Sequence, residues 1–309
     1  MDSRLQLMSY SSSLNLHECP RKLQLYKLST VGTVDAIDDS ITFTFGHCVG
    51  LGIQLVFEGA SEDTILWAMF QKWAVDLFAT NPKQNKSFWN AVIAIQKFIA
   101  LRANGFLAEY ELVTYQGKPA VELSFRIRLP NGFIYRGHVD AVLRHRTTGA
   151  ITVLEVKTSS QQEVNPATYK NSAQAIGYSI VLDVIEPELS TYDVVYLVYK
   201  TKAMEWERLK FAKSYLQRAQ WIQELLLDAD MLAMYDKVGV YPMHGENCIS
   251  KYGKECEYLQ VCTLSTAYLA TPEPAPELLD LNRETGKPME YQIELTIQDL
   301  IDAQLRKEL

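Results

Sequence analysis

Two apolar runs of this chain carry acidic residues at positions where a hydrophobic residue would continue the pattern. Asp140 lies within "HVDAVL", and Glu155 lies within "ITVLEVK", followed two positions later by Lys157. Alternate side chains of a strand point to one face, so Glu155 and Lys157 should lie side by side. If the two runs form a regular hairpin, Asp140 should be their neighbour across the ladder. The spacing therefore predicts a cluster of two carboxylates and one ammonium group.

Such a cluster would suit a hard divalent cation. Two converging carboxylates and the backbone carbonyl of Val156 offer the oxygen ligands that Mg²⁺ prefers. A cation held there would polarise a phosphoryl oxygen and lower the pKa of a bound water, while Lys157 would add positive charge beside the attacked phosphate. The alternative is a structural salt bridge between Lys157 and one of the acids. Burial of the strands favours the metal site, because buried charges need partners or a metal.

The elements that must position this cluster follow from the periodicity of the chain. Segments with helical spacing precede Gly105, and they cover residues 9–28 with a break at Pro20, 43–58, 64–80 and 86–104. Residues 120–159 alternate between apolar and polar positions and contain turn signals at Asn131–Gly132 and 147–149. This middle segment is therefore predicted to be a three-stranded antiparallel meander.

A helix, a strand and a second helix are predicted after the meander. Asn165 would cap a single long helix that has Pro166 at its first position, and Gln174 and Tyr178 would share one of its faces. A fourth strand is predicted at 191–201, and a long amphipathic helix at 207–235. This order indicates an α/β fold with a central mixed sheet flanked by helices and a helical N-terminal region.

The end of the chain shows a change in composition. Residues 270–279, "ATPEPAPELL", read as a proline-rich linker. Beyond it, Thr296 and Asp299 form a predicted capping box. The apolar residues of the helix that follows are predicted to share one face, and they are Ile297, Leu300, Ile301 and Leu305. This face is expected to dock on the core or on a protein partner.

Composition limits the class of protein. The 309 residues are 48% hydrophobic, with a net charge of −7 and a pI of about 5.4, which is typical of a soluble globular protein. This acidic balance argues against nucleic-acid binding through bulk charge, but a basic segment at 200–218 could contact phosphates. We find neither a signal-peptide pattern nor an apolar run of membrane-spanning length, so we expect a cytoplasmic protein that does not enter membranes.

Three short motifs resemble those of a known family. "GHVD", "LEVKTS" and "QAIGY" are similar, in this order, to the G-x-x-D, (D/E)-x-K and Q-x-x-x-Y motifs of the PD-(D/E)XK nuclease superfamily, in its RecB-like exonuclease branch. The N-terminal "CPRKLQLY" also resembles the opening of that branch. The resemblance implies a single nuclease domain at 1–265, followed by the linker and amphipathic helix at 266–309. Within the domain it implies a helical part at 1–104, a catalytic core at 105–235 and a Cys-rich segment at 245–265.

By this resemblance the protein would be a metal-dependent DNA exonuclease of DNA processing, repair or recombination, using Mg²⁺ or Mn²⁺. Asp140 and Glu155 would bind the metal, and Lys157 would be catalytic. Gln174 and Tyr178 would line the DNA track.

Other assignments stay open beside that one. Glu122 matches an acidic position of the branch and would be a further metal ligand, or else an exposed strand residue. Two other function classes remain: a catalytically inert nucleic-acid-binding or recombination-accessory protein on the same fold, and a zinc-stapled structural protein whose acids form salt bridges.

The chain departs from the branch at one position. RecB-like exonucleases usually carry a metal-binding His on a helix, four residues after a Gly, whereas here Gly46 is followed by Gly50. His47 is nearby but lies on another face of the helix, because adjacent helical residues are about 100° apart. The number of catalytic metals, one or two, therefore stays open.

The cysteines suggest a second metal site. Cys248, Cys256 and Cys262 lie within fifteen residues, and in a reducing compartment such clustering favours metal ligation over disulfides. Members of the RecB-like branch hold a [4Fe–4S] cluster with one N-terminal and three C-terminal cysteines, which implies that Cys19 joins this trio. Four thiolates also suit Zn²⁺, and free cysteines can simply be core residues, as we expect for Cys48.

Overall fold

The computed structural model describes residues 1–28, 36–73, 85–187, 192–249, 255–265, 269 and 290–306, and only the backbone of 36–40. The predicted linker at 270–279 and the last part of the predicted helix 64–80 lie outside these residues. The chain divides into two compact units. We call Met1–Ala36, Ser124–Gly137 and Ala219–Leu309 the terminal unit, and Ile37–Leu123 with His138–Arg218 the central unit.

Helices and strands are numbered along the chain. The helices are α1 (Ser3–Gln6), α2 (Tyr10–Glu18), α3 (Pro20–Leu28), α4 (Ala36–Phe57), α5 (Glu62–Lys72), α6 (Phe88–Ala103), α7 (Ala167–Lys170), α8 (Ala173–Val181), α9 (Tyr215–Val238) and α10 (Ile297–Leu305). The strands are β1 (Leu7–Met8), β2 (Tyr110–Leu112), β3 (Thr114–Tyr115), β4 (Lys118–Pro119), β5 (Val121–Arg128), β6 (Ile134–His145), β7 (Ile151–Ser159), β8 (Tyr192–Lys200), β9 (Glu205–Lys213) and β10 (Ile293–Thr296).

Eight of the strands form a mixed sheet in the order β10-β5-β6-β7-β8-β9, with β1 and β2 also paired to β6, and β3 pairs with β4 in a separate two-stranded sheet. β6 is antiparallel to β7, β7 is parallel to β8, and β8 is antiparallel to β9. The connection from β5 to β6 is so short that it can only join antiparallel strands. The predicted meander and the α/β class with a central mixed sheet flanked by helices are therefore confirmed.

The hydrophobic core of the central unit lies between its helices and one face of the sheet. Phe45 of α4 and Phe98 of α6 are fully buried there, together with Leu154 of β7 and Tyr199 of β8. β8 is buried along nearly all of its length, which is typical of a strand covered on both faces. This packing fixes β7, the strand that carries the acid and the lysine of the predicted site.

Local signals placed several boundaries correctly. α2 ends at Glu18 and α3 begins at Pro20, because proline lacks the amide that a helix interior needs and suits the first helical position. The turn between β5 and β6 has Asn131 and Gly132 at φ values of 58° and 78°, in the left-handed region that these two residue types favour. The capping box of Thr296 and Asp299 at the start of α10 is also present.

The helix predicted at 207–235 is wrong over its first residues. Residues 205–213 form β9, and α9 begins only at Tyr215. The exposed residues Arg208, Lys210 and Ala212 alternate with less exposed ones, which is the period of a strand. The ladder with β8 decides the outcome, because it supplies partners along all nine residues of β9.

The single long helix predicted from Asn165 is also wrong. It is divided into α7, which ends at Lys170, and α8, which begins at Ala173. Asn171 and Ser172 form the break, and both residue types favour helix ends over helix interiors because their side chains compete for backbone hydrogen bonds. Asn165 still caps the first segment, since its Oδ1 accepts a hydrogen bond from the Ala167 amide at 3.0 Å.

The terminal unit contains a strand that the sequence analysis missed. β10 pairs in parallel with the second half of β5, from Ile293–Phe125 to Thr296–Arg128. Glu294 of β10 forms ion pairs with Arg126 and Arg128 at 2.9 and 3.1 Å. The tail after the linker is therefore a strand followed by a helix. In the described part of the chain, no helix has both the length and the apolar character needed to cross a membrane.

Candidate active site

Asp140 and Val156 join the two strands that carry the predicted acids. The β6–β7 ladder runs from Arg144–Ile151 to Ala141–Leu154, which brings Asp140 next to Glu155 at the following step. The Asp140 Oδ2 atom accepts a hydrogen bond from the Val156 amide at 2.6 Å. The N–H and C=O of one strand residue point to the same side, so the Val156 carbonyl is directed towards β6 as well.

Glu155 is buried, with only 1% of its surface exposed. Its Oε1 atom accepts a hydrogen bond from Lys157 at 2.6 Å, whereas Oε2 has no hydrogen-bond partner among the described residues. Burial, reinforced by repulsion from Asp140, raises the pKa of Glu155 to about 8 despite the nearby lysine. Burial also raises the pKa of Asp140, although its bond to Val156 opposes the change. Both acids thus hold protons more tightly than exposed acids do.

Lys157 links β7 to helix α8. Its Nζ atom donates to Gln174 Oε1 at 2.9 Å, and Gln174 Nε2 donates to the Tyr178 hydroxyl at 2.9 Å. The structure thus brings Glu155, Lys157, Gln174 and Tyr178 into one chain of hydrogen bonds. The shared helical face predicted for Gln174 and Tyr178 is confirmed, and in this structure both side chains support the lysine.

Glu122 lies at the first half of β5 with a backbone φ of 47°, an uncommon value for a residue that is not glycine. Partial burial of its carboxylate and repulsion from Asp140 raise the pKa of Glu122 to about 7. The residue as a whole is exposed, so solvent moderates that shift. Backbone strain of this kind, here next to the half-buried Asp140 and the buried Glu155, is typical of functional sites.

A small cleft adjoins these acids, with a cavity volume of about 10 Å³. Glu122, Asp140 and Val156 line it, together with Gly50 and Gln54 of α4. A Cβ atom added at Gly50 would meet no atom within 4 Å, so the cleft has room at the position where the RecB-like branch usually has its His. His47 is exposed and is not one of the residues that line the cleft. Gln54, one turn beyond Gly50, was missed by the sequence analysis.

The donor set fits a divalent cation only in part. The buried Oε2 of Glu155, the Asp140 carboxylate and the Val156 carbonyl are hard oxygen ligands. However, in the part of the chain that the structure describes, no group of three or more His, Cys, Asp and Glu side chains could hold a metal ion. Two carboxylates would therefore need the carbonyl and water molecules to complete the coordination.

The basic segment at 200–218 does not form a free cationic face. Lys200 lies 3.5 and 3.4 Å from Glu205 and Glu207, and Arg208 and Lys210 pair with Glu109 and Asp193 at 2.7 Å each. Of the other three cations of the segment, Lys213 and Arg218 are fully buried and Lys202 is exposed. The proposed phosphate contacts of this segment therefore have little support from its geometry.

The four cysteines of the second predicted site all lie in the terminal unit. The Cys256 amide donates to the Cys248 carbonyl at 2.8 Å, and Arg21 Nε donates to the Cys262 carbonyl at 2.9 Å. Burial lowers the pKa of Arg21, and the Cys262 and Cys19 thiols lie close enough to oppose that shift. The described cysteines form no disulfide. Although they lie in the same unit, the described residues contain no group of three or more side chains placed to hold a metal ion.

Comparisons with known proteins bear on the identity of this site. A search of curated proteins finds no match. Eighteen chains of solved structures match, among them "Crystal structure of SSO0001", which has 18% sequence identity, covers 70% of this chain and 82% of its own, and gives a TM-score of 0.32. The sequence profile of the PD-(D/E)XK nuclease superfamily matches residues 7–263. Because that match includes the strands and the helix that hold Asp140, Glu155, Lys157 and Gln174, and most of the chain besides, the protein belongs to the PD-(D/E)XK nuclease superfamily.

Proposed function

We propose that this protein is a Mg²⁺- or Mn²⁺-dependent DNA exonuclease of the RecB-like branch, which acts in DNA processing, repair or recombination in the cytoplasm. Membership of the superfamily implies a nucleic-acid substrate and, in general, metal-dependent hydrolysis. The proposal rests mainly on the Oε2 atom of Glu155. This atom is buried next to Asp140 and has no hydrogen-bond partner among the described residues. An orphaned buried carboxylate oxygen is costly unless a ligand satisfies it.

The residues take distinct roles in this proposal. Asp140 and Glu155 would hold the cation together with the Val156 carbonyl, and Glu122, which lines the same cleft, would be a further ligand. When bound, the cation supplies Lewis-acid chemistry for phosphodiester hydrolysis.

The chain's own groups would do the remaining work. Lys157 would place its positive charge beside a water or a phosphate oxygen. Gln174 and Tyr178 would fix that ammonium and contact the DNA beside it.

An inert nucleic-acid-binding protein on the same fold is the main rival, because Gly50 replaces the usual His. The test is cleavage of end-labelled single-stranded and duplex DNA, and of RNA, with Mg²⁺, with Mn²⁺ and with a chelator. Metal-dependent release of short products from the ends supports the exonuclease. Binding without cleavage under every condition would support the inert protein, and internal cuts in circular DNA would make it an endonuclease.

We further propose that Cys19, Cys248, Cys256 and Cys262 bind one [4Fe–4S] cluster. Support comes from Arg21, whose side chain lies close to the thiols of both Cys19 and Cys262, so that the two ends of the chain meet around it. Four thiolates also suit Zn²⁺. Anaerobic purification followed by metal analysis and a visible spectrum separates the two: iron with absorption near 400 nm, as is roughly expected of thiolate-bound clusters, supports the first, and colourless zinc protein the second.

A further inference from the structure

Lys213, the last residue of β9, is fully buried, with 0% of its surface exposed. Its Nζ atom donates a hydrogen bond to the backbone carbonyl of Lys170, and the Phe211 ring lies 5.8 Å away. Burial lowers the pKa of Lys213 to about 8. Burial of an ammonium group whose acceptor is neutral costs folding free energy. The position of Lys213 is therefore better explained by a functional role than by stability.

The acceptor lies at the break that separates α7 from α8. Lys170 ends α7, Asn171 and Ser172 leave the helical path, and Gln174 is the second residue of α8. Lys170 lies four residues before Gln174. A group that holds the Lys170 carbonyl therefore restrains the backbone that leads into the first turn of α8. Gln174 is in turn the residue that accepts a hydrogen bond from Lys157.

A second buried cation holds the other end of α8. Arg218 is also 0% exposed, and it donates to the Ser179 carbonyl at 3.2 Å and to the Asp183 carboxylate. The guanidinium group lies over the Tyr192 ring at 4.4 Å. Buried cations of β9 and α9 thus hold the residue that precedes the α7–α8 break and the C-terminal part of α8.

We propose that Lys213 is a positioning residue for the catalytic lysine, acting through the Lys170 carbonyl and Gln174 on Lys157. This inference rests on the proposed nuclease function for its activity readout only. In the described part of the chain, one hydrogen bond joins the Lys213 side chain to Lys170 at the break, so removal of this donor should leave α8 present but free to shift at its first turn. A 1 Å misplacement of a catalytic group can cost about 100-fold in rate.

The test begins with Lys213→Met, which keeps the length and apolar stem of the side chain and removes the donor. We expect kcat for DNA cleavage to fall between about tenfold and about 100-fold, and the melting temperature to stay the same or rise. A fall in kcat without a fall in melting temperature distinguishes a positioning role from a purely structural one, in which both would fall. Lys213→Gln retains an N–H donor and should recover part of the lost rate. Equal losses in the two variants would assign the effect to packing and overturn the proposal.

Lys97 provides the matched control. Its Nζ atom also donates to a backbone carbonyl, that of Met204 at 2.7 Å, but Lys97 is exposed and belongs to α6. Lys97→Met should leave cleavage unchanged. A similar loss in this variant would show that the assay responds to any lysine removed from the fold.

A double-mutant cycle tests the route of the effect. If Lys213 acts through Gln174, then Lys213→Met should add little to the defect of Gln174→Ala. Independent, multiplicative losses would show that Lys213 acts elsewhere and would overturn the proposal.

Hydrogen exchange provides a readout that does not require nuclease activity. The Ile176 amide donates to the Ser172 carbonyl at 3.2 Å, in the first turn of α8. Lys213→Met should accelerate exchange at Ile176 and Gly177, and Lys97→Met should not. Unchanged exchange would overturn the positioning role even if the wild-type protein cleaves DNA. Faster exchange in a protein without nuclease activity would retain the role and reject the proposed function alone.

Discussion

The ammonium nitrogen of Lys157 lies 2.6 Å from Oε1 of Glu155, two residues earlier on the same strand. The side chain of the lysine is about one third exposed, whereas that of the acid is buried. Burial and the nearby Asp140 raise the pKa of Glu155, and Lys157 lowers it. The first two effects are larger, so the pKa of Glu155 is about 8. At neutral pH the metal-free protein therefore retains a proton on Glu155, and a cation that binds there must displace it.

This relationship makes the stability of the metal-free protein depend on pH. The folded pKa of Glu155 is about 8 against an ordinary value of 4.5, so the folded state binds this proton more tightly than the unfolded state does. The resulting stabilisation is complete below pH 4.5 and is lost as the pH rises towards 8. Glu155→Gln should remove this loss, so in chelator at pH 8.5 its melting temperature should exceed that of wild type by a few degrees.

The measurement is thermal unfolding in chelator from pH 5 to pH 9. Glu111→Gln is a suitable control, because Glu111 is an exposed carboxylate paired with Arg146 on the same sheet. Identical pH profiles for Glu155→Gln and wild type would show that the acid is not protonated in the folded protein. Addition of Mn²⁺ should raise the melting temperature of wild type more than that of Glu155→Gln.

The acids and the lysine should be interdependent in catalysis. Asp140→Ala, Glu155→Ala and Lys157→Ala should each abolish cleavage, because a site whose members act as a unit loses most of its activity with any one of them. DNA binding in metal-free buffer should persist. Arg144→Ala, on the same strand as Asp140 but paired with Glu186, should remain active. Turnover near the wild-type rate in any of the three alanine variants would remove that residue from the mechanism.

The hydrogen bonds beyond Lys157 should contribute less than the charged groups. Gln174→Ala removes an acceptor of the lysine, and Tyr178→Phe removes only the hydroxyl that accepts from Gln174. We expect losses in kcat of about tenfold to about 100-fold for the first and a smaller loss for the second, since both residues orient groups and break no bond. Steady-state cleavage of one labelled oligonucleotide checks the order. A larger loss for Tyr178→Phe than for Gln174→Ala would show that the tyrosine acts directly on the substrate.

The sequence was most informative where local pattern and tertiary role agree. The meander was predictable because Asn131–Gly132 gives a turn between two alternating runs, and the cluster followed because Asp140, Glu155 and Lys157 interrupt those runs. In β7 the two-residue period alone places Glu155 beside Lys157. These features require no knowledge of distant partners.

The errors arose where a distant partner decides the structure. Residues 205–213 carry spacing that suits a helix as well as a strand, and only the ladder with β8 selects the strand. β10 is four residues long and gains its role from β5, which lies more than 150 positions earlier in the chain. The strain at Glu122 and the burial of Lys213 also depend on packing, which a single sequence does not display.

The cysteines of the terminal unit should act as a set. Replacement of Cys19, Cys248, Cys256 or Cys262 by Ala should each remove the bound metal and lower the melting temperature, because the cluster would close a loop of more than two hundred residues. Cys48 is the control: it is fully buried among apolar residues, and burial raises its pKa to about 12, so it would not provide a thiolate. Cys48→Ala should keep the metal. Full metal content in any one of the four variants would exclude that cysteine as a ligand.

The tail should stabilise the protein without taking part in catalysis. β10 supplies a parallel partner for β5, and Ser124 of β5 accepts and donates hydrogen bonds with Gln292 and Glu290. Truncation after residue 270 would leave the edge of β5 without this partner, so the melting temperature should fall, while the fraction that stays folded should still cleave DNA. If the truncated protein keeps its fold but no longer cleaves DNA, the tail is required for nuclease activity.

Two substitutions in α10 test the same point without truncation. Leu300 is 1% exposed and Leu305 is 53% exposed on the same short helix. Leu300→Ala should cost about 2–5 kcal/mol of unfolding free energy, because it empties a buried position, whereas Leu305→Ala should change it by less than about 0.5 kcal/mol. Denaturant unfolding of both variants, with cleavage assayed below the transition, separates stability from activity. Equal losses of unfolding free energy at the two positions would mean that α10 does not pack on the protein through Leu300. The contrast between a buried Leu300 and an exposed Leu305 would then no longer support Leu305 as a contact for a protein partner.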